Sequence, residues 1–224
     1  MKNWSWNQKD WYQWIIGSVM GLLAISSTGF GQNPSHSYVN TTRSSYNTHI
    51  FVSQSVEGEF GDYRQEGDYK SDQSAASTGI INRKWQGYNT TSTLGLEVLK
   101  FIQFNIFHSS VKMRSAKTSL EHLDGSRFGG GARLVFLAPV ANLELGGGVI
   151  ATRYDYQKDL DTSDFYGSGF YYSIGMNYFM TDRVSAFGVA KMINEHSVKG
   201  GGSSETNDIA SNMTNLGFGF SLWL

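Results

Sequence analysis

Three residues in "FHSSVKMRSAKTSLE" have side chains that could do chemistry together: His108 as a base, Ser110 as a nucleophile, and Glu121 as the carboxylate that orients an imidazole. A hydroxyl attacks only when a base sits within hydrogen-bond reach, so the set works only if the fold assembles it. Carboxylates also gather in two polar stretches, Asp68 and Asp72 in "GDYKSD" and Asp159, Asp161 and Asp164 in "DLDTSD". Calcium takes several such oxygens from a flexible loop, but the glycine and terminal glutamate of a known calcium loop are missing. Solvated loop charge is the expectation, with no metal and no cofactor. The glycine run of "VKGGGSSETND" precedes no helix, which leaves it a connector and not a phosphate cradle.

Composition narrows the field further. The chain has no Cys, which removes thiolate chemistry and disulfides. Charged residues make up 17% with a formal net charge of −1, too few and too balanced for a phosphate-tracking basic patch, so nucleic acid is excluded as a partner. Glycine at 26 against proline at 2, and 14% aromatic residues, are the unusual features of the composition. Mean hydropathy of −0.32 reads as a water-soluble average, but a membrane barrel gives the same value because only alternate strand residues meet lipid.

The N-terminus has the order of a secretory signal: Lys2 and Lys9, an apolar run from Ile15 to Ile25, then small and polar residues. Roughly 20 residues are needed for a helical span, and this run is shorter. Gly29 and Gly31 place the expected cleavage before Gln32, giving a signal peptide over 1–31 and a polar lead over 32–47. A retained helix on the membrane surface is the alternative, since the leading segment carries Asp10 and four tryptophans.

The remainder, 48–224, alternates. Around Leu94 and Leu96 the other face carries Thr93, Gly95 and Glu97; around Phe104 and Ile106 it carries Gln103 and Asn105. Such period-two patterning marks half-buried strands. About eight of them can be traced, joined alternately by short reversals, at Lys100, at Ala138 to Ala141 around Pro139 and at Met180 to Arg183, and by longer polar stretches, 61–84, 114–125, 157–165 and 197–211. All short turns therefore fall at one end and all long loops at the other. The last strand, with Leu216, Phe218, Phe220, Leu222 and Leu224 on one side and Trp223 on the other, would pair with the first and remove the sheet edge. The fold class read from this pattern is all-β: a transmembrane antiparallel up-and-down barrel of about eight strands in a bacterial outer membrane.

Alternation also sorts the charges. Glu57, Glu97, Arg127, Arg133, Glu144 and Lys191 fall on inward positions, Lys191 because the parity of its strand is otherwise ambiguous and lipid is closed to it. Charges of both signs in a narrow lumen must pair, so an interlocked polar plug is expected. Aromatics at strand ends, Tyr63, Trp85, Tyr88, Tyr154, Tyr156, Phe165, Tyr166, Tyr178, Phe179 and Trp223, are read as interfacial girdles.

Over Thr48 to Leu224 the sequence resembles the small outer-membrane barrels of the OmpA/OmpX type, on this strand pattern, on hairpins such as "GMNYFMTDRVSAFG" and on the terminal "TNLGFGFSLWL". The resemblance implies that Leu216, Phe218, Phe220, Leu222, Trp223 and Leu224 form a signal read by the barrel-assembly machinery, although that signal usually ends on an aromatic residue. It implies a non-enzymatic structural or surface-interaction role, with membrane lipid and lipopolysaccharide around the wall and a surface or membrane-protein partner at the loops. His108, Ser110 and Glu121 separately resemble the His-x-Ser plus acid set of the outer-membrane lipid A deacylases. In that family the set lies near the end of the chain, whereas here four or more strands follow. A polar interfacial rim is the expectation, an acyl hydrolase the alternative, and a passive small-solute channel a third reading.

Overall fold

The computed structural model describes residues 48–69, 77–116, 121–138, 140–158, 161–199 and 208–224. The leading segment, its cleavage site and Pro139 lie outside them. Eight strands run β1 (Thr48–Tyr69), β2 (Ser77–Val98), β3 (Ile102–Ser115), β4 (Glu121–Phe136), β5 (Asn142–Lys158), β6 (Asp161–Phe179), β7 (Val184–Lys199) and β8 (Asp208–Trp223). Each pairs antiparallel with its neighbours, and β8 closes on β1. Closure gives every strand two partners, the condition for a sheet in a medium that cannot hydrogen-bond its edges.

Register fixes the shape. Gln54 stands opposite Ser92, and the row continues through His108, Phe128, Ala151, Ser168, His196 and Ala210. Ala210 then meets β1 again at Arg64, ten positions beyond Gln54 (64 − 54). A stagger of that size over eight strands tilts them by about 40° and leaves a lumen that side chains alone can fill.

Alternation holds on every strand. Ile50, Val52 and Val56 of β1 face out while Phe51, Ser53, Ser55, Glu57 and Glu59 are buried. In β7 the ambiguity resolves with Ser185, Lys191 and Ile193 inward and Met192 outward. The strands are longer than their apolar patterning: 61–69 and 77–84 pair as ladder, as do stretches within 114–125, 157–165 and 197–211 that read as loop. Beyond the lipid the outer face turns polar, as at Lys84, Arg114 and Asp124, so the apolar-outward pattern stops reporting the strand while backbone pairing continues.

Between β2 and β3 the chain reverses on Leu99 and Lys100, with φ of 56° and 61°, and the amide of Phe101 donates to the Val98 carbonyl at 3.4 Å. Two left-handed central residues match the strand twist but disfavour residues with a Cβ. Replacing the pair by Asn-Gly (Leu99→Asn with Lys100→Gly) is expected to stabilise the barrel by about 1–2 kcal/mol, read as a higher urea midpoint in lipid vesicles. An unchanged midpoint would contradict the strained-turn account.

Candidate functional site

The lumen is the only place where the fold concentrates charge away from water among the described residues, and it is layered. Along β1, from the short-turn end outward, the inward residues are Phe51, Ser53, Ser55, Glu57 and Glu59; along β4, running the other way, they include Leu123, Arg127, Arg133 and Val135. At the short-turn end Phe51, Phe179 and Trp223 stack, with ring centroids 4.7 Å and 5.3 Å from the indole, whose Nε1 donates to Ser185 at 2.9 Å. Above them Glu144 collects Arg133 at 3.1 Å, Asn177 at 3.2 Å and Gln103 at 3.3 Å, and Gln103 also donates to Glu97 at 3.1 Å.

Next comes the pair of Lys191 with Glu57, whose carboxylate also accepts from Ser55 at 2.9 Å and Asn215 at 3.3 Å. Above that, Arg127 lies between two carboxylates: Nη1 donates to Glu59 at 2.8 Å and Nη2 to Glu195 at 3.2 Å. Tyr154 donates to Glu195 at 2.6 Å, as does Ser211 at 3.0 Å, and Asn89 donates to Glu59 at 3.0 Å, so both acids hold neutral donors besides the guanidinium. A second apolar group, with Trp85, Val111, Met113, Leu123, Phe165 and Met213, closes the lumen on the long-loop side.

Large inward side chains fit because glycines face them across the ladder. A Cβ on Gly129 would come within 2.5 Å of the Phe107 ring, and one on Gly148 within 2.8 Å of the Tyr171 ring; Gly131, one strand further on, leaves room for the Tyr171 hydroxyl, which a Cβ there would meet at 2.6 Å. The glycine content of the chain is thus partly lumen volume.

All six charged residues named from the sequence point into the lumen, and the structure joins them through three polar clusters. Sequence reasoning missed Glu59 and Glu195, the two partners of Arg127. Both are visible in principle: Glu59 shares the parity of Glu57, and Glu195 that of Lys191, four residues on. The polar plug is also incomplete as an expectation, because apolar side chains cap it at both ends.

The girdle assignment needs correction. Trp85, Tyr154, Phe165, Phe179 and Trp223 are between 1% and 4% exposed and face the lumen, and Tyr156 packs against the outer cluster. Tyr88 and Tyr166 do face outward, while the Tyr178 ring is half-buried and the Tyr63 side chain lies outside the described residues. Position at a strand end does not decide the face; parity does.

His108 and Ser110 are exposed on the outer wall, two residues apart on β3. Ser110 stands opposite Ser126, whereas Glu121 stands at the far end of β4 opposite Lys158. Five residues separate Ser126 from Glu121, about 16 Å of strand, so the backbone does not bring the three together. Of the acidic clusters, Asp164 pairs with Arg153 at 3.8 Å; Asp72 and Asp159, and the side chains of Asp68 and Asp161, lie outside the described residues. Leu216, Phe218, Phe220, Leu222 and Leu224 form an outward apolar row on β8 and its end, and Trp223 alone turns in.

A closed eight-stranded barrel with an apolar outer band and a filled, ion-paired lumen has the fold of the small outer-membrane barrels that the sequence resembles. Solved structures with this fold include the outer membrane protein OprG from Pseudomonas aeruginosa, at 13% identity and TM-score 0.52 over 79% of this chain and 97% of that one. The outer membrane protein AlkL, determined in DMPC bilayers, matches at 12% identity and TM-score 0.51 over 81% of this chain and 92% of that one. At these identities the likeness is one of fold. No family model matches the sequence, and no curated protein matches it.

Arg127→Met should cost about 3–5 kcal/mol in unfolding free energy by leaving Glu59 and Glu195 buried together without a cation. Adding Glu59→Gln and Glu195→Gln should recover most of it, because the paired charges are then removed as a set. A single variant as stable as the parent in a urea titration would show that the triad is not the keystone of the lumen.

Proposed function

We propose that the protein is a non-enzymatic outer-membrane barrel whose lumen is plugged and whose projecting wall serves as a contact surface for a membrane or surface partner. The observation that carries this is the continuous filling of the lumen, from the Phe51–Phe179–Trp223 stack through three polar clusters to the Trp85–Met113–Phe165 layer. A solute path would have to part both apolar layers and break the Arg127 triad. The wall supports the contact role: 22-residue strands such as β1 and β2 rise about 55 Å at a tilt near 40°, roughly twice the 25 Å of an apolar membrane band. The excess stands on the long-loop side, as hydrogen-bonded strand that can present side chains in fixed positions.

In planar bilayers the folded protein should give no stable conductance steps; large, reproducible steps would replace the plugged reading with the channel one. The hydrolase reading makes a different demand. Lipid A mass spectra from cells with the gene, without it, and carrying His108→Ala with Ser110→Ala should be superimposable. An acyl chain lost only in the presence of the unmutated gene would overturn the non-enzymatic reading.

A further inference from the structure

The outer wall has a discontinuity. Each residue advances about 2.5 Å along the barrel axis and each step from strand to strand climbs about 3 Å, given the observed stagger and a tilt near 40°. Taking Gln54 as origin, Ser92 lies about 3 Å, His108 about 6 Å, Thr90 about 8 Å and Ser110 about 11 Å toward the long-loop side. All five are exposed on the outer face of β1, β2 and β3. The apolar band, from Leu224 at the short-turn end to Phe170 and Tyr88, covers the same levels. On the other side of the barrel those levels carry Tyr172, Met192 and Leu216, exposed at 59%, 46% and 43%.

A contiguous polar row thus interrupts the band on one side, and Gln54 Nε2 donates to Ser92 Oγ at 2.6 Å within it. Hydrocarbon offers neither donor nor acceptor, so side chains of this kind in the outer half of the band favour a partner that supplies both. We infer that the outer face of β1, β2 and β3 around Gln54, Ser92 and His108 is the interface of a homodimer, with a second copy of the chain as its occupant. Three observations select that occupant. The row is self-complementary, because amide, hydroxyl and imidazole each donate and accept, and a two-fold axis along the membrane normal brings equal levels together.

The row also descends to the middle of the band, below the reach of lipid headgroups, whereas an identical barrel matches it at every level. Above the band these strands and the adjoining β4 carry both signs, with Lys84 on β2 opposite Asp62 on β1 and Lys112 on β3 opposite Asp124 on β4, which suits a like surface and not a uniformly anionic lipid. The inference rests on the outer face alone and holds whether or not the lumen is plugged.

The chain has no Cys, so single reporters are clean. Ser92→Cys and Tyr172→Cys, at similar levels on opposite sides, are compared in intact outer membranes with a short thiol-reactive cross-linker; folding is verified by the boiling-dependent shift on denaturing gels. The dimer yield at Ser92→Cys should exceed that at Tyr172→Cys by about tenfold or more, the size expected of a few hydrogen bonds in lipid. With Thr90→Cys as reporter, adding Gln54→Leu, Ser92→Ala and His108→Leu should lower the yield by a similar factor while the shift persists. Equal yields at the two sites, no dimer from folded Ser92→Cys, or an adduct with a different polypeptide would each overturn the homodimer; if the triple variant does not fold, the two single reporters still decide.

Discussion

Closing the sheet is the constraint from which the rest of this structure follows. A chain that must satisfy every backbone amide in lipid has to join its last strand to its first, as β8 joins β1, and eight strands with a stagger of ten residues enclose a lumen of fixed, small bore. Everything inward must fit that bore at near-solid density. The fit is achieved in pairs across the ladder, with a ring on one strand over a glycine on the next: Phe107 over Gly129, Phe187 over Gly219, Tyr171 over Gly148. Bulk and its absence are therefore one specification, and the glycines cannot be read without the aromatics they face.

Burying charge in such a lumen is costly, and the arrangement here shows how the cost is contained. Arg127 meets two carboxylates, each of which accepts further hydrogen bonds, and Lys191 meets a carboxylate with two neutral donors beside it. An apolar core of similar volume would be no less stable on energetic grounds. What the ion pairs add is register. Glu59 on β1, Arg127 on β4 and Glu195 on β7 are far apart in sequence and on three non-adjacent strands, so a slip of one residue in any of them would turn its charge toward lipid. Where the outer face is apolar over most of its circumference and a shifted residue still meets lipid, the lumen is where mispairing is punished.

How much of this the sequence disclosed depended on whether a single strand carried the signal. Strand number, alternation and the two unlike ends were legible because each is a local pattern with period two. The inward set Glu57, Glu97, Arg127, Arg133, Glu144 and Lys191 was legible for the same reason. The partners were not: that Arg127 meets Glu59 and Glu195, and not Glu57, is decided by the stagger between strands, which no single strand encodes. Strand ends failed for a related cause. Where the wall leaves lipid the outer face turns polar, and the apolar-outward pattern no longer marks the limits of β1 and β2 or the facing of Phe165, which lies in the polar stretch 157–165. Trp85 and Tyr154 sit within strands, and there parity, not place at a strand end, decides the face.

His108 shows how a local pattern can be real and its first interpretation incomplete. Histidine and serine two apart on a strand necessarily share a face, and they do. Catalysis would need an acid brought to them from β4, and the register sets Glu121 five residues past the position opposite Ser110. The same register instead aligns His108 with Ser92 and Gln54 on the adjoining strands, making a polar row out of residues that are unremarkable one strand at a time. A row of hydrogen-bonding side chains facing hydrocarbon is a stronger statement about partners than any of its members about chemistry, because an isolated hydroxyl can bond back to its own backbone while a continuous row spanning three strands has more capacity than the local backbone can absorb.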